Sequence, residues 1–382
     1  MTGLPGYLRG IGGVVADQTV ASSPLALRVR ERLPHLPWEI LPEGRSLASG
    51  LERGDILYLK HYKGRFLRFC PGTSHYRCCG YQIIHIGENC PLRCSYCILQ
   101  AYFQDRVLKV WANQDDLWTE LDRAFTSEPG RRYRVGTGEF TDSLVLEALT
   151  GYSRDLAGFL SAYPQVCLEL KSKVADLSWM DAVADPSRVL PAWSMNALEI
   201  VEREEQGACA SLEERLAAAR TCAQAGFRVC LHFDPIIHFP GWREGYGRTV
   251  EMIFDHLRPE HIAYLSMGSF RHMPDLRRAI AENFPDSRYI HGEFITGLDG
   301  KQRLLRPLRV EQFRFLADAL RRGGLDREIY LCMESDEVWR AVLGRTPADL
   351  GGLYRYLMGL AFGQEGLPAV FHPAPRHEKG GL

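Results

Sequence analysis

The sequence predicts an α/β protein of six βα units, an open partial (β/α)6 TIM-like barrel or a doubly wound sheet, with an extension at each end. Three observations carry this. Between residues 81 and 268 short β-rich runs alternate with longer stretches of i, i+3, i+4 apolar spacing, the pattern of βα units and a parallel sheet. Six such strand runs occur, too few for a closed eight-stranded barrel. The 382 residues exceed what one core usually holds, and residues 1–80 and 269–382 do not share the alternation.

Taken in order, residues 1–80 mix short apolar patches with Gly and Pro breaks and carry the basic stretch Lys60-His61-Tyr62-Lys63-Gly64-Arg65, which reads as a small N-terminal unit. The expected strands are Tyr81–Ile86, Arg132–Thr137, Val166–Lys171, Val189–Met195, Phe227–Pro235 and His261–Ser266. Helical spacing fills Leu117–Phe125, Leu144–Ala162, Leu212–Ala225 and Thr249–Leu257 between them. The tail is expected to be helical over Met273–Asn283 and Val310–Arg322, separated by the Gly-rich Gly297–Gly300. In an open barrel of this kind the ligand site lies at the C-terminal strand ends.

Composition excludes several classes. Hydrophobic residues at 46% and charged residues at 24% are those of a globular chain with a sizeable core. Lys+Arg 46 against Asp+Glu 47 leaves a net charge of −1, so a nucleic-acid contact needs a local patch. No apolar run is long enough for a membrane helix, and the opening MTGLPGYLRG has no signal-peptide pattern. Eleven cysteines in such a chain point to a reducing, cytoplasmic setting, with thiols serving as metal ligands, catalytic groups or core.

Cys90, Cys94 and Cys97 decide the chemistry. They stand as CxxxCxxC directly after the first strand. Three thiolates on one loop can hold three corners of a [4Fe-4S] cluster and leave the fourth iron open. A structural zinc site wants four ligands, usually as two close pairs. A zinc-bearing nucleic-acid-binding module is the rival reading.

The segment Cys90-Pro91-Leu92-Arg93-Cys94-Ser95-Tyr96-Cys97, followed by ILQ and preceded by PGT and CCGY, resembles the radical S-adenosylmethionine (SAM) superfamily, and within it the spore photoproduct lyase family of DNA repair enzymes. Gly241-Trp242 with Glu244-Gly245-Tyr246 after the fifth strand extends the likeness. The resemblance implies a radical SAM barrel, a cluster whose open iron chelates SAM, and a 5′-deoxyadenosyl radical that takes hydrogen from a thymine photoproduct in DNA. It also implies an electron donor such as ferredoxin or flavodoxin. Tyr96 matches a tyrosine that relays the radical, and Ile98 stands where some members carry a second one. The alignment puts Phe140 where the family has its hydrogen-donor cysteine, which leaves a different substrate, such as modified RNA or a peptide, as the alternative. Cys167 and Cys230 are the substitute donors to consider.

Strand parity suggests where SAM would sit. Residues two apart on a strand share a face. Cys167, Glu169 and Lys171 share one, and Lys171 could meet the SAM carboxylate. Glu139, after the Gly136-Thr137-Gly138 turn, could accept from the SAM ammonium; the bland alternative there is a helix cap by Thr141, Asp142 or Ser143. Ser194 and Asn196 share a face and match a family Ser/Asn pair near SAM. Cys230, His232 and Asp234 share another, with His232 and Asp234 as candidate catalytic residues at the mouth. Arg271, His272, Lys301, Arg303, Arg306 and Arg309 are candidates for DNA phosphates, and His238, Trp242 and Tyr246 for stacking on a base. Cys209, Cys222 and Cys332 read as solitary thiols.

Overall fold

The computed structural model describes residues 4–363 apart from 46, 48–54, 74, 104, 206 and 207. Its strands are β1 (Gly13–Asp17), β2 (Trp38–Leu41), β3 (Ile56–Lys60), β4 (Leu67–Phe69), β5 (Gln82–Ile84), β6 (Gly87–Glu88), β7 (Leu108–Trp111), β8 (Tyr133–Gly136), β9 (Val166–Ser172), β10 (Val189–Ser194), β11 (Val229–Ile236), β12 (Ile262–Ser269), β13 (Arg271–His272), β14 (Phe294–Thr296), β15 (Gln302–Leu304) and β16 (Ile329–Leu331).

The main sheet runs β4-β5-β8-β9-β10-β11-β12-β16. All its neighbours pair in parallel except β4, which pairs antiparallel with β5. The six strands expected from the sequence are therefore present as one open, curled parallel sheet. The sequence did not foreshadow its seventh parallel strand, β16, where only three residues, Ile329, Tyr330 and Leu331, give no periodicity to detect.

Both faces of these strands are buried, which explains their near-continuous apolar character. The helix Leu212–Gln224, opened by a capping box between Ser211 and Glu214, packs against β10 and β11. The helical pattern expected over 144–162 is two helices, Glu147–Thr150 and Tyr152–Leu160. They are split at Gly151, whose φ of +59° an L side chain adopts only with strain.

β1, β2 and β3 form a second sheet, β2-β1-β3-β7-β6, joined by β6 from just before the cysteine loop and β7 from just beyond it. The third sheet is the antiparallel β13-β15-β14, so the region after residue 269 is not purely helical. Its last described helix, Leu353–Phe362, packs on both β8 and β12. Arg228, just before β11, donates to Leu360 O and Ala361 O at 2.7 and 2.8 Å. This helix therefore plugs the N-terminal end of the barrel, leaving the C-terminal strand ends as the mouth. Among the described residues, no helix is long and apolar enough to cross a membrane.

Candidate active site

The cysteine loop follows β5 and β6. Asn89 and Arg93 have φ of +68° and +52°, uncommon for residues other than glycine. Asn89 is held by its surroundings: its amide donates to Asp105 O at 3.1 Å and Val107 O at 2.9 Å. Gln100 Nε2 reaches back to the carbonyls of Cys94, Ser95 and Cys97 at 3.2, 2.8 and 3.4 Å. Ser95 is tied to Glu204, its N–H donating to Glu204 O at 2.8 Å and its Oγ to Oε2 at 2.6 Å.

Cys94 is buried, while Cys90 and Cys97 are partly exposed, and none of the three is in a disulfide. Desolvation pushes the Cys90 thiol up and the Cys97 thiol to about 11. Such thiols ionise readily only when a metal takes the charge. Among the described residues, no three His, Cys, Asp or Glu side chains gather tightly enough around one point for a single ion. Three free, soft thiols on one loop are the donor set of a four-iron cluster with one open iron, whereas a structural zinc wants four ligands.

Tyr96 is buried beneath this loop. Its hydroxyl donates to Glu205 Oε1, and Glu205 Oε2 pairs with Arg215 Nη2. Arg215, fully buried, also donates to Ala210 O at 2.9 Å and Ser194 O at 2.8 Å. The Lys173 ammonium lies 5.7 Å from the Tyr96 ring centre. Desolvation and the Glu205 carboxylate both push the Tyr96 phenol well above its ordinary value.

At the mouth, Lys171, Glu139 and Asp234 come together. Burial pushes Lys171 down, but the carboxylates of Glu139 and Asp234 outweigh it and hold the ammonium above its usual value. Asp234 takes both Arg271 Nη1 and Nη2 at 3.1 Å; burial raises its carboxyl, and Arg271 with Lys171 brings it below the usual range. The cap reading of the 139–143 turn does not hold: the following helix starts at Glu147 with Leu146 at its N-cap and no side-chain cap, and Asp142 instead braces the turn, accepting from Leu144 N and Val145 N at 3.0 Å. Glu139 is left half-exposed beside Lys171. Gly136 is required here, since a Cβ would lie 1.6 Å from Tyr81 Oη.

His232 sits inside the barrel wall. Its Nδ1 meets Ser266 Oγ at 2.7 Å and its Nε2 lies 3.4 Å from Glu169 Oε1. Glu169 also accepts from Tyr264. Burial raises the Glu169 carboxyl, but His232, Arg134 and the Tyr264 hydroxyl bring it down to about 2. Asn196 is fully engaged locally, donating to Pro235 O at 3.0 Å and accepting from Tyr246 Oη at 2.6 Å. Ser194 is buried at the end of β10.

Several expectations change. Cys167 and Cys230 are completely buried, and Cys167 Sγ faces Ala361 O of the plug helix at 3.6 Å, so neither reaches the mouth. Trp242 and Tyr246 are buried rather than free to stack on a base. Arg271, Arg303 and Arg309 are neutralised by Asp234, Asp299 and Glu334. Cys209 is not solitary; its Sγ lies 3.6 Å from Cys94 Sγ. Cys332, at the end of β16, lies 3.9 Å from Arg271 Nη2. The Arg215–Glu205–Tyr96 network went unread because its members come from three segments, with only the adjacent Glu204-Glu205 pair as a hint. Phe140 is buried against His85, Tyr102 and Phe103.

The profile of the family described as spore photoproduct lyase matches residues 74–294, more than half of the chain. The chain belongs to the spore photoproduct lyase family. Among curated relatives, "Spore photoproduct lyase" of Geobacillus sp. (strain Y412MC61) is 21% identical over 208 residues, covering 54% of this chain and 61% of the relative. That of Bacillus subtilis (strain 168) is 22% identical over 212 residues, covering 54% and 60%. The chain thus matches under two thirds of the length of these relatives. A solved spore photoproduct lyase complexed with dinucleoside spore photoproduct has a TM-score of 0.71 at 18% identity, covering 87% of this chain and 99% of that one. A mutant with bound AdoMet and dinucleoside spore photoproduct gives 0.70, with coverage of 86% and 98%. At that identity the likeness establishes the shared partial-barrel fold.

Proposed function

We propose that this protein is a radical SAM lyase that repairs a thymine photoproduct in DNA. The observation that carries the reading is the trio Cys90, Cys94 and Cys97, fixed by Gln100 and Glu204 on the first loop of an open barrel in a chain of the spore photoproduct lyase family. These thiols would hold a [4Fe-4S] cluster. When bound, the cluster and SAM supply a 5′-deoxyadenosyl radical that abstracts hydrogen from substrate.

The chain's own residues bind, orient and exclude water. Lys171 offers a cation to the SAM carboxylate and Glu139 an anion to its ammonium, with Asp234 and Arg271 shaping the mouth beside them. Ser194 and Asn196 shape the adjoining strand end from behind. The Glu169–His232–Ser266 chain fills the barrel beneath and keeps bulk water out. Tyr96, hydrogen-bonded to Glu205, is the candidate relay. The electron donor is a ferredoxin or flavodoxin, and the site of action the cytoplasm, a reducing setting in keeping with eleven free thiols.

A second reading, the same radical chemistry on modified RNA or a peptide, is favoured by Phe140, which stands at the family's donor position and offers no thiol hydrogen. One experiment separates the two. Reduced, reconstituted protein is given SAM and a dinucleotide spore photoproduct carrying deuterium at the abstracted position. Restored thymidines and deuterium in 5′-deoxyadenosine are expected. SAM cleavage with untouched dinucleotide would overturn the DNA reading in favour of the second.

A further inference from the structure

Cys209 belongs to the segment between the helices Leu198–Glu204 and Leu212–Gln224. Its neighbour Ala210 is pinned on both sides: its N–H donates to Lys173 O at 2.9 Å and its carbonyl accepts from Arg215 Nε at 2.9 Å. Gln100 and Glu204 fix the other partner, Cys94, through the loop around it. The two sulfurs therefore meet at 3.6 Å from rigid supports 115 residues apart, without a disulfide.

Three cysteines complete the coordination of a cluster with one open iron, so Cys209 is not needed as a ligand. It also stands too near Cys94 for the two sulfurs to serve separate irons. A thiol touching a ligand sulfur has one other use, as a hydrogen-bond donor to it. We infer that Cys209 donates its S–H to the Cys94 sulfur and acts as a positioning residue that raises the potential of the cluster. A hydrogen bond to a ligating sulfur stabilises the electron-rich reduced state, and the groups around cluster ligands set the potential in this way. The inference rests on the cluster assignment above.

The test is a redox titration of the reconstituted full chain followed by electron paramagnetic resonance. Cys209→Ala removes the donor and is expected to lower the reduced-to-oxidised ratio at fixed poise about threefold, roughly 28 mV at 59 mV per decade. Cys209→Ser keeps a donor and is expected to titrate at or above the unaltered protein. A purely structural role would lower thermal stability and leave the potential unmoved, which would overturn the inference.

A second arm uses cluster-free protein and diamide, which takes up the two hydrogens as two thiols become one disulfide. A linked Cys94–Cys209 peptide is expected, and linkage of Cys94 to Cys90 or Cys97 instead would refute the contact. Should the unaltered chain bind no iron, the cluster assignment fails, while this arm still reads the contact by itself.

Discussion

Replacing Arg215 with Met tests the scaffold beneath the cysteine loop. Arg215 and Glu205 are both almost fully buried, and the guanidinium also serves Ala210 O and Ser194 O. Met fills much of the same volume but removes the guanidinium from the Glu205 carboxylate, leaving it the Tyr96 hydroxyl and the more distant Lys173 ammonium. Breaking a buried ion pair in this way costs about 3–5 kcal/mol. For a chain this size that lowers Tm by about 4–6 °C. The double variant R215M/E205Q removes the stranded charge and is expected to recover half or more of the loss. Thermal melts of the two variants and of Glu205→Gln form the cycle. A single-variant loss below about 1 kcal/mol, or a double variant no better than R215M, would refute the claim that this pair is a closed ionic unit.

Three further outcomes are expected. Glu169 has its folded-state pKa lowered to about 2 from 4.5; its stabilisation, about 3 kcal/mol, is full above the unfolded value and is lost as pH falls from 4.5 toward 2. Denaturant unfolding between pH 3 and 6 should show that slope flattened in His232→Ala. Glu147 behaves oppositely, since desolvation lifts it to about 7 despite the N–H bonds from Ser153 and Arg154. Stability then falls as pH rises from 4.5 through 7, and Glu147→Gln should abolish that fall in denaturant unfolding carried on to about pH 8. Gln100→Ala releases three loop carbonyls and should cost about 1–2 kcal/mol, with iron uptake reduced on reconstitution; full uptake at unchanged rate would contradict its role as a clamp.

Much of the barrel was legible because its strands are buried on both faces and its helices obey a clear period, as in Val166–Ser172 and Leu212–Gln224. Parity alone brought Lys171 and Asp234 to one mouth. It misplaced the weight on His232, because alternation gives a face but not a depth, and the partners that draw His232 inward, Ser266 and Glu169, lie on neighbouring strands. The neutralising partners of Arg271 and Arg309 escaped notice because they lie far off in sequence. Asp299 precedes Arg303 by four residues, yet Asp234 and Glu334 are brought in by sheet pairing and by the bridge between Arg77 and Glu334. Cys209 is the sharpest case: nothing local marks it, and only the tertiary fold, with Ala210 pinned by Lys173 and Arg215, sets it against Cys94.

The most direct measurement is iron, sulfide and product in one preparation. Oxygen-free reconstitution should give about four irons and four sulfides per chain, and dithionite with SAM should release 5′-deoxyadenosine, both abolished in Cys94→Ala. A colourless protein that holds zinc, or SAM cleavage that survives Cys94→Ala, would contradict the account.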